Sequence, residues 1–300
     1  MRFTAQAVSA LVVVLLGSAC GDTEPVESSN TTTSGTTFLP PTGQSSTTTR
    51  PVQPQDELLV VGDWGSGTSP QRAVADAMLR YSGDHDVEAI LTTGDNFYGD
   101  NRELLMEPFG WATEANIPFW ITWGNHDIES ELRIDAVNEA FGDPPRWAVY
   151  QWGEIDVIVL DSNQIMSAEQ AGFFLSAMGA SERPTIIAMH HPPYSCAHHE
   201  APTDLVNQVV EVLDDDVILV LSGHDHVYQR FQRDGISYVV TGGGGATVYE
   251  LSECPVNHPE PLAEESVHHF VALEHADDAI VATAINVSGD IIDEFAIELP

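Results

Sequence analysis

The chain has no lysine in 300 residues, and its ten basic residues are all arginine. Schiff-base chemistry and a phosphate loop ending in Lys are therefore excluded. Against those ten stand 46 Asp and Glu, a formal net charge of −36. Residues 1–55 hold three of the acids and two of the arginines, which leaves −35 on the rest. So little positive charge excludes a basic nucleic-acid surface or a patch for anionic lipid. The acid excess reads as a solvated, salt-tolerant surface. Cysteine is scarce too, at three residues, and none falls in a zinc-ribbon spacing. No Ser sits in a nucleophile elbow, and no apolar run reaches the roughly 20 residues of a membrane span. What is present, 43% apolar residues, suffices for a core and argues against disorder.

The ends of the chain read differently from its middle. Met1-Arg2, an apolar stretch from Ala5 to Leu16 and the small residues Gly17-Ser18-Ala19 form an export signal, residues 1–20, closed by Cys20. Cys20 after small residues is similar to a bacterial lipobox, which predicts a lipid anchor through Cys20; plain secretion is the alternative. Residues 21–55 are rich in Ser, Thr and Pro and read as a flexible tether. Residues 56–300 are expected to form the folded domain, placed outside the cytoplasmic membrane. Cys196 and Cys254 remain, and in an oxidising compartment such a pair is expected to be bonded.

From Glu57 onward, apolar strand-like runs alternate with helical spacing, and after Ile236 strands dominate. Helices are predicted over 69–81, 167–178 and 203–213, and a hairpin over 146–160. The expected fold is an α/β layered sandwich with mixed sheets. Five of the apolar runs exit into polar loops: Gly62-Asp63-Trp64-Gly65, Gly94-Asp95-Asn96-Phe97-Tyr98, Gly124-Asn125-His126-Asp127, Met189-His190-His191-Pro192 and Gly223-His224-Asp225-His226. Ligands of open α/β sheets bind beyond the carboxyl ends of strands, so the five loops are expected to converge. Asp, Asn and His are donors for divalent or trivalent ions, and one Asp can bridge two. Each fragment alone is an ordinary turn; all five together are not. The Gly242–Gly245 run lacks Lys and reads as a turn that allows close packing near the site.

The order GD, GDxxY, GNHD, HHPPY, GHDH over residues 58–245 resembles the calcineurin-like metallophosphoesterases, and among them the small tartrate-resistant type of purple acid phosphatase. The resemblance implies a four-layer sandwich: two mixed β-sheets face to face, helices outside, a dinuclear metal centre at the sheet edge. Most relatives place a ligand His where this chain has Gly65, and the compensating Tyr98 marks the purple acid phosphatases. By resemblance a ferric ion is held by Asp63, Asp95, Tyr98 and His226. A divalent Fe, Zn or Mn ion is held by Asp95, Asn125, His190 and His224, with His190 favoured over His191. His126 resembles the proton donor. A second such His is expected nine residues past His190, at His199, with His198 the open alternative because Glu200 replaces the family's Gly. The implied reaction is hydrolysis of small phosphate monoesters by hydroxide generated at the metals. The alternatives are a Mn or Zn phosphodiesterase or nucleotidase on the same scaffold, and a non-catalytic envelope protein that binds phosphate or metal. Nothing in the sequence identifies a protein partner.

Overall fold

The computed structural model describes residues 57–164, 167–199, 209–256 and 258–300. The export signal, Cys20 and the tether lie outside the described residues, as does most of the helix expected over 203–213.

Thirteen strands form two sheets among the described residues. They are β1 (Glu57–Val61), β2 (Val87–Thr92), β3 (Phe119–Trp120), β4 (Ala148–Trp152), β5 (Ile155–Val159), β6 (Thr185–Ala188), β7 (Val217–Ser222), β8 (Tyr228–Arg233), β9 (Ile236–Thr241), β10 (Ala263–Glu265), β11 (His269–Ala276), β12 (Ala279–Asn286) and β13 (Ile291–Glu298). The first sheet has the order β13-β12-β11-β1-β2-β3 and the second β10-β8-β9-β7-β6-β5-β4. Both are mixed. β1, β2 and β3 run parallel in one, and β5, β6, β7 and β9 in the other.

Strand alternation makes the layers. Leu58 and Val60 of β1 join Ala89, Leu91, Ile186, Leu219 and Val239 in a core built from strand residues of both sheets. Leu59 and Val61 point the other way, onto Val74 and Met78 of α1 (Ser69–Ser82). On the far side, Ile158, Ile187 and Val220 pack against Phe174 and Met178 of α5 (Ala168–Ala180). Strands buried on both faces need continuous apolar runs rather than alternating ones, and β1 and β7 have them. The outcome is the expected four-layer sandwich.

Three short helices were not visible in the sequence: α2 (Arg102–Met106), α3 (Gly110–Glu114) and α4 (Glu131–Phe141). The first two have five residues each, too short to show a period. α4 carries its own local punctuation. Ser130 caps it by accepting from Arg133 N at 3.3 Å, and Gly142 ends it at φ 73°. α1 and α5 start where expected, with Pro70 in the first turn and Ser167 as N-cap. Among the described residues no helix is long and apolar enough to cross a membrane.

Candidate metal centre

The parallel strands β1, β2, β3, β6 and β7 all leave their sheets at one end, and the five polar loops meet there. Asp63, Asp95 and His224 adopt left-handed backbone, at φ 57°, 50° and 70°. This conformation is strained for side-chain-bearing residues and clusters at functional sites.

The side chains fall into two groups about one carboxylate. In the first, the Tyr98 hydroxyl lies 3.0 Å from Asp63 Oδ1 and 3.0 Å from His226 Nε2. His226 Nε2 is 3.3 Å from Asp63 Oδ1. In the second, His190 Nε2 lies 3.0 Å from Asn125 Oδ1 and 3.2 Å from His224 Nδ1. Asp95 stands between, with Oδ2 3.4 Å from His190 Nε2. Ligand atoms of Asp63, Asp95 and His190 lie within 4.8 Å of one another, a spacing that suits a shared cation.

Hydrogen bonds behind the cluster fix which nitrogen faces it. His190 Nδ1 donates to the Thr93 carbonyl at 2.9 Å, and His226 Nδ1 to the Thr247 carbonyl at 2.7 Å. Both rings thus turn Nε2 inward, the usual support of ligating histidines. Asp63 Oδ2 accepts from His224 N at 2.9 Å, and Asp95 Oδ1 from His126 N at 2.8 Å, which links the loops through the carboxylates themselves.

The electrostatics call for cations. Asp63 and Asp95 are buried, and among the described residues no arginine forms an ion pair with either. Burial raises the Asp95 carboxyl, but His190 and His126 outweigh it and hold it below the usual carboxylate range. Burial opposes charge on His190, yet Asp95 prevails and pushes the imidazole up to about 10. Burial, then the charges of Asp63 and Asp95, push the Tyr98 phenol far above its ordinary value. A phenolate there therefore needs a strong cation beside it. Two buried carboxylates, a phenol, an amide oxygen and inward-facing imidazoles form a hard, anionic donor set suited to metal ions.

Gly65 has a geometric reason. A Cβ at this position would overlap the Asn96 carbonyl, so no side chain fits and no ligand can come from it. The Gly242–Gly245 run packs as expected. Gly244 N donates to Gly62 O at 2.9 Å, and a side chain at Gly244 would collide with that carbonyl.

The two candidate proton donors flank the cluster. His126 is part-exposed, its Nε2 4.0 Å from Asp95 Oδ2 and its ring 4.6 Å from Tyr98. His199 stacks on His224 with centroids 4.1 Å apart, and its Nδ1 lies 2.9 Å from Asp225 Oδ1. His198 is exposed and packs instead on Tyr249, 4.8 Å away. The structure thus brings His199, rather than His198, against His224 and Asp225. The Cys196–Cys254 disulfide is present, Cα atoms 4.4 Å apart, just upstream of His199. Ser252 reinforces that junction by donating from N to Cys196 O at 3.0 Å and from Oγ to Ala197 O at 2.8 Å.

Several supporting residues escaped the sequence reading. Asp127 is fully buried and accepts from Asn96 Nδ2, Phe97 N and Gly124 N at 2.8, 2.9 and 2.8 Å, tying the β2 loop to the β3 loop. Burial and Asp95 push its carboxyl up to about 7. Asp225 also accepts from Ser195 Oγ and His199 N. A sixth polar exit, Asp161-Ser162-Asn163 after β5, supports His191, whose Nδ1 lies 2.7 Å from Ser162 Oγ. The signal was of the same kind, an apolar run that ends in a polar residue, and like the Met189-His190 exit it lacks the glycine.

The sequence profile of the calcineurin-like phosphoesterases matches residues 57–228. Purple acid phosphatase 3 of Arabidopsis thaliana is 24% identical over 244 residues, 68% of this chain and 66% of that enzyme, just short of two thirds of its length. Tartrate-resistant acid phosphatase type 5 of Sus scrofa is 23% identical over 284 residues, 77% of this chain and 84% of the relative. Among solved structures, GAP50, the anchor in the inner membrane complex of Plasmodium, matches with a TM-score of 0.70 at 18% identity, over 83% of this chain and 90% of that one. That last likeness concerns the fold alone.

Proposed function

The chain belongs to the calcineurin-like phosphoesterase family, and on that premise we propose that it is an exported acid phosphatase of the purple type, acting on small phosphate monoesters. The observation that carries this reading is the Tyr98 hydroxyl, 3.0 Å from both Asp63 Oδ1 and His226 Nε2, opposite a Gly65 that can bear no ligand. A phenolate oxygen with carboxylates and one imidazole favours a ferric ion, held by Asp63, Asp95, Tyr98 and His226. Asn125, His190 and His224, with Asp95 shared, suit a divalent Fe, Zn or Mn ion.

When bound, such a pair of ions would supply an activated water and offset the charge of a phosphate. The protein supplies the rest. His126, at the rim with Nε2 toward Asp95, gives a proton to the leaving-group oxygen. His199, stacked on His224 and anchored by Asp225, closes the opposite wall. The net charge of the chain disfavours polyanions, so small esters are the expected substrates rather than nucleic acid. Export, with anchoring through Cys20, is supported by the signal-like N-terminus and by the Cys196–Cys254 bond.

The test is metal analysis, a visible spectrum and an aryl phosphate assay on the purified protein. One iron with one further metal, a phenolate-to-iron band and turnover are expected. A colourless, active Mn or Zn protein would favour phosphodiesterase or nucleotidase chemistry. A protein that binds metal without turnover would be a binding protein.

A further inference from the structure

The side chains behind His126 form a chain that the metal centre does not need. Glu129 Oε2 lies 2.9 Å from His126 Nδ1. Arg133 NH1 donates to the same Glu129 oxygen at 2.5 Å and to the His126 carbonyl at 3.2 Å. Its distance to His126 Nδ1 is 3.3 Å, longer than that of Glu129. A carboxylate that already accepts from a guanidinium still has lone pairs for an imidazole N–H, so Nδ1 acts as donor to Glu129. Arg133 is placed by α4, at the third position after its Ser130 cap, and is mostly buried, with 21% of its side chain exposed. Among the described arginines it is the one hydrogen-bonded to His126. The others pair with Glu107, Glu139, Asp161, Asp156, Asp293 or Asp234, or with the Val287 carbonyl.

We propose that Glu129 is a positioning residue for phosphoester cleavage: clamped by Arg133, it holds His126 Nδ1 and thereby aims Nε2 across the metal cleft. The inference rests on the acid phosphatase reading, with His126 as proton donor. Without Glu129 the imidazole, 39% exposed, keeps only the tilted Tyr98 ring and the longer 3.3 Å contact of Nδ1 with Arg133 NH1, and loses the acceptor that sets its χ angles with Nδ1 as donor. An aimed donor matters when the leaving group is a poor one. As the P–O bond breaks, its electron pair goes to the ester oxygen, which takes the proton from Nε2, and water provides the new oxygen on phosphorus. A misdirected Nε2 slows that step without touching any metal ligand. Glu129 itself is exposed, and as a surface residue of an acidic protein it has no packing role to explain its place.

The experiment compares Glu129→Gln and Glu129→Ala with wild-type holoenzyme on an alkyl phosphate and on an aryl phosphate with an acidic phenol. Expected in Glu129→Ala is a loss in kcat of about tenfold or more for the alkyl ester, part of the range that general acids contribute, and a smaller loss in Glu129→Gln, whose amide oxygen still accepts from Nδ1. The aryl ester should lose little, KM should change little, and metal content and the visible band should stay unchanged. Glu129→Asp, which keeps the acceptor, should recover part of the loss. Equal losses on both esters, or none, overturn the proposal. A second readout is independent of turnover: a crystal structure of the Glu129→Ala holoenzyme should show the His126 ring displaced or in more than one rotamer. A ring left in place overturns the proposal even if wild type proves to have no phosphatase activity. A displaced ring in an inactive wild-type background would sink the acid phosphatase reading and leave the positioning contact standing.

Discussion

Tyr98, on the loop after β2, sets its hydroxyl 3.0 Å from Oδ1 of Asp63, on the loop after β1. The contact joins two adjacent parallel strands through a bond aimed at the cluster. Gly65, two residues past Asp63, has no room for a side chain, because a Cβ there would overlap the Asn96 carbonyl.

The phenol should therefore be the source of colour. Tyr98→Phe keeps the ring and its packing against His126 and removes the oxygen. The visible band is expected to vanish while circular dichroism stays that of the wild type. A band that survives would show that another residue binds the iron.

His126 should matter according to the leaving group. His126→Ala is expected to cost about 10²–10⁴ in rate on alkyl phosphates, the span of a general acid, and clearly less on activated aryl esters. Steady-state kinetics across a leaving-group series reads this as a steeper dependence on leaving-group pKa in the variant. An unchanged slope would remove His126 from proton transfer.

The neighbouring histidines should separate sharply. His199 stacks on His224 and is held by Asp225, whereas His198 faces solvent against Tyr249. His199→Ala should lower kcat/KM by at least tenfold, and His198→Ala by less than threefold. Parallel assays of the two variants decide it, and the reverse order would mean that the loop turns over in solution.

The residues of the cluster were legible because each sits in a loop that follows an apolar strand, and that is local information. Asp63, Asp95, Asn125, His190 and His224 needed only the strand before them and the rule that parallel strands end together. The supports were harder to see. Asp127 and Asp225 lie inside the same motifs, but their task is to receive amides from loops about 30 residues away, and only folding reveals those donors. The choice of His199 over His198 likewise depends on which ring reaches His224, a tertiary contact. α2 and α3 left no periodic trace because five residues make little more than one turn. The six-stranded sheet was half visible: β11, β12 and β13 read as strands, but their antiparallel pairing to β1 through β11 is a long-range choice.

Reducing the Cys196–Cys254 bond should affect substrate handling before metal content. The bond closes a loop of 58 residues, and the chain-entropy estimate of its contribution is about 4 kcal/mol. No cysteine is among the metal-facing residues, and Asp225 and Gln229 also hold the Cys196 segment. A mild reductant is expected to raise KM and lower the melting temperature with metal content retained. Loss of metal at the same reductant concentration would show that the bond supports the cluster itself.

Acid should destabilise the fold through His269. This residue opens β11 with its side chain fully enclosed. Its Nδ1 donates to the Val267 carbonyl at 2.9 Å, and its Nε2 lies 3.1 Å from Thr241 Oγ1. Burial, with a smaller contribution from His268, depresses the imidazole to about 4 against an ordinary 6.5. The folded state thus keeps His269 neutral where the unfolded chain already takes a proton. Stability from this residue is intact above pH 6.5, falls as pH drops from 6.5 to about 4, and then levels off once both states are protonated. The full loss is about 2–4 kcal/mol. An enzyme active in acid would carry that cost in its working range. His269→Gln keeps a donor for the Val267 carbonyl and an acceptor for Thr241 but cannot titrate. Urea unfolding at pH 7.5, 5.5 and 4.0 should therefore show a smaller acid loss in the variant than in the wild type. Carboxylates contribute equally to both proteins, so the difference isolates the imidazole. Parallel losses in the two proteins would mean that His269 accepts a proton without unfolding.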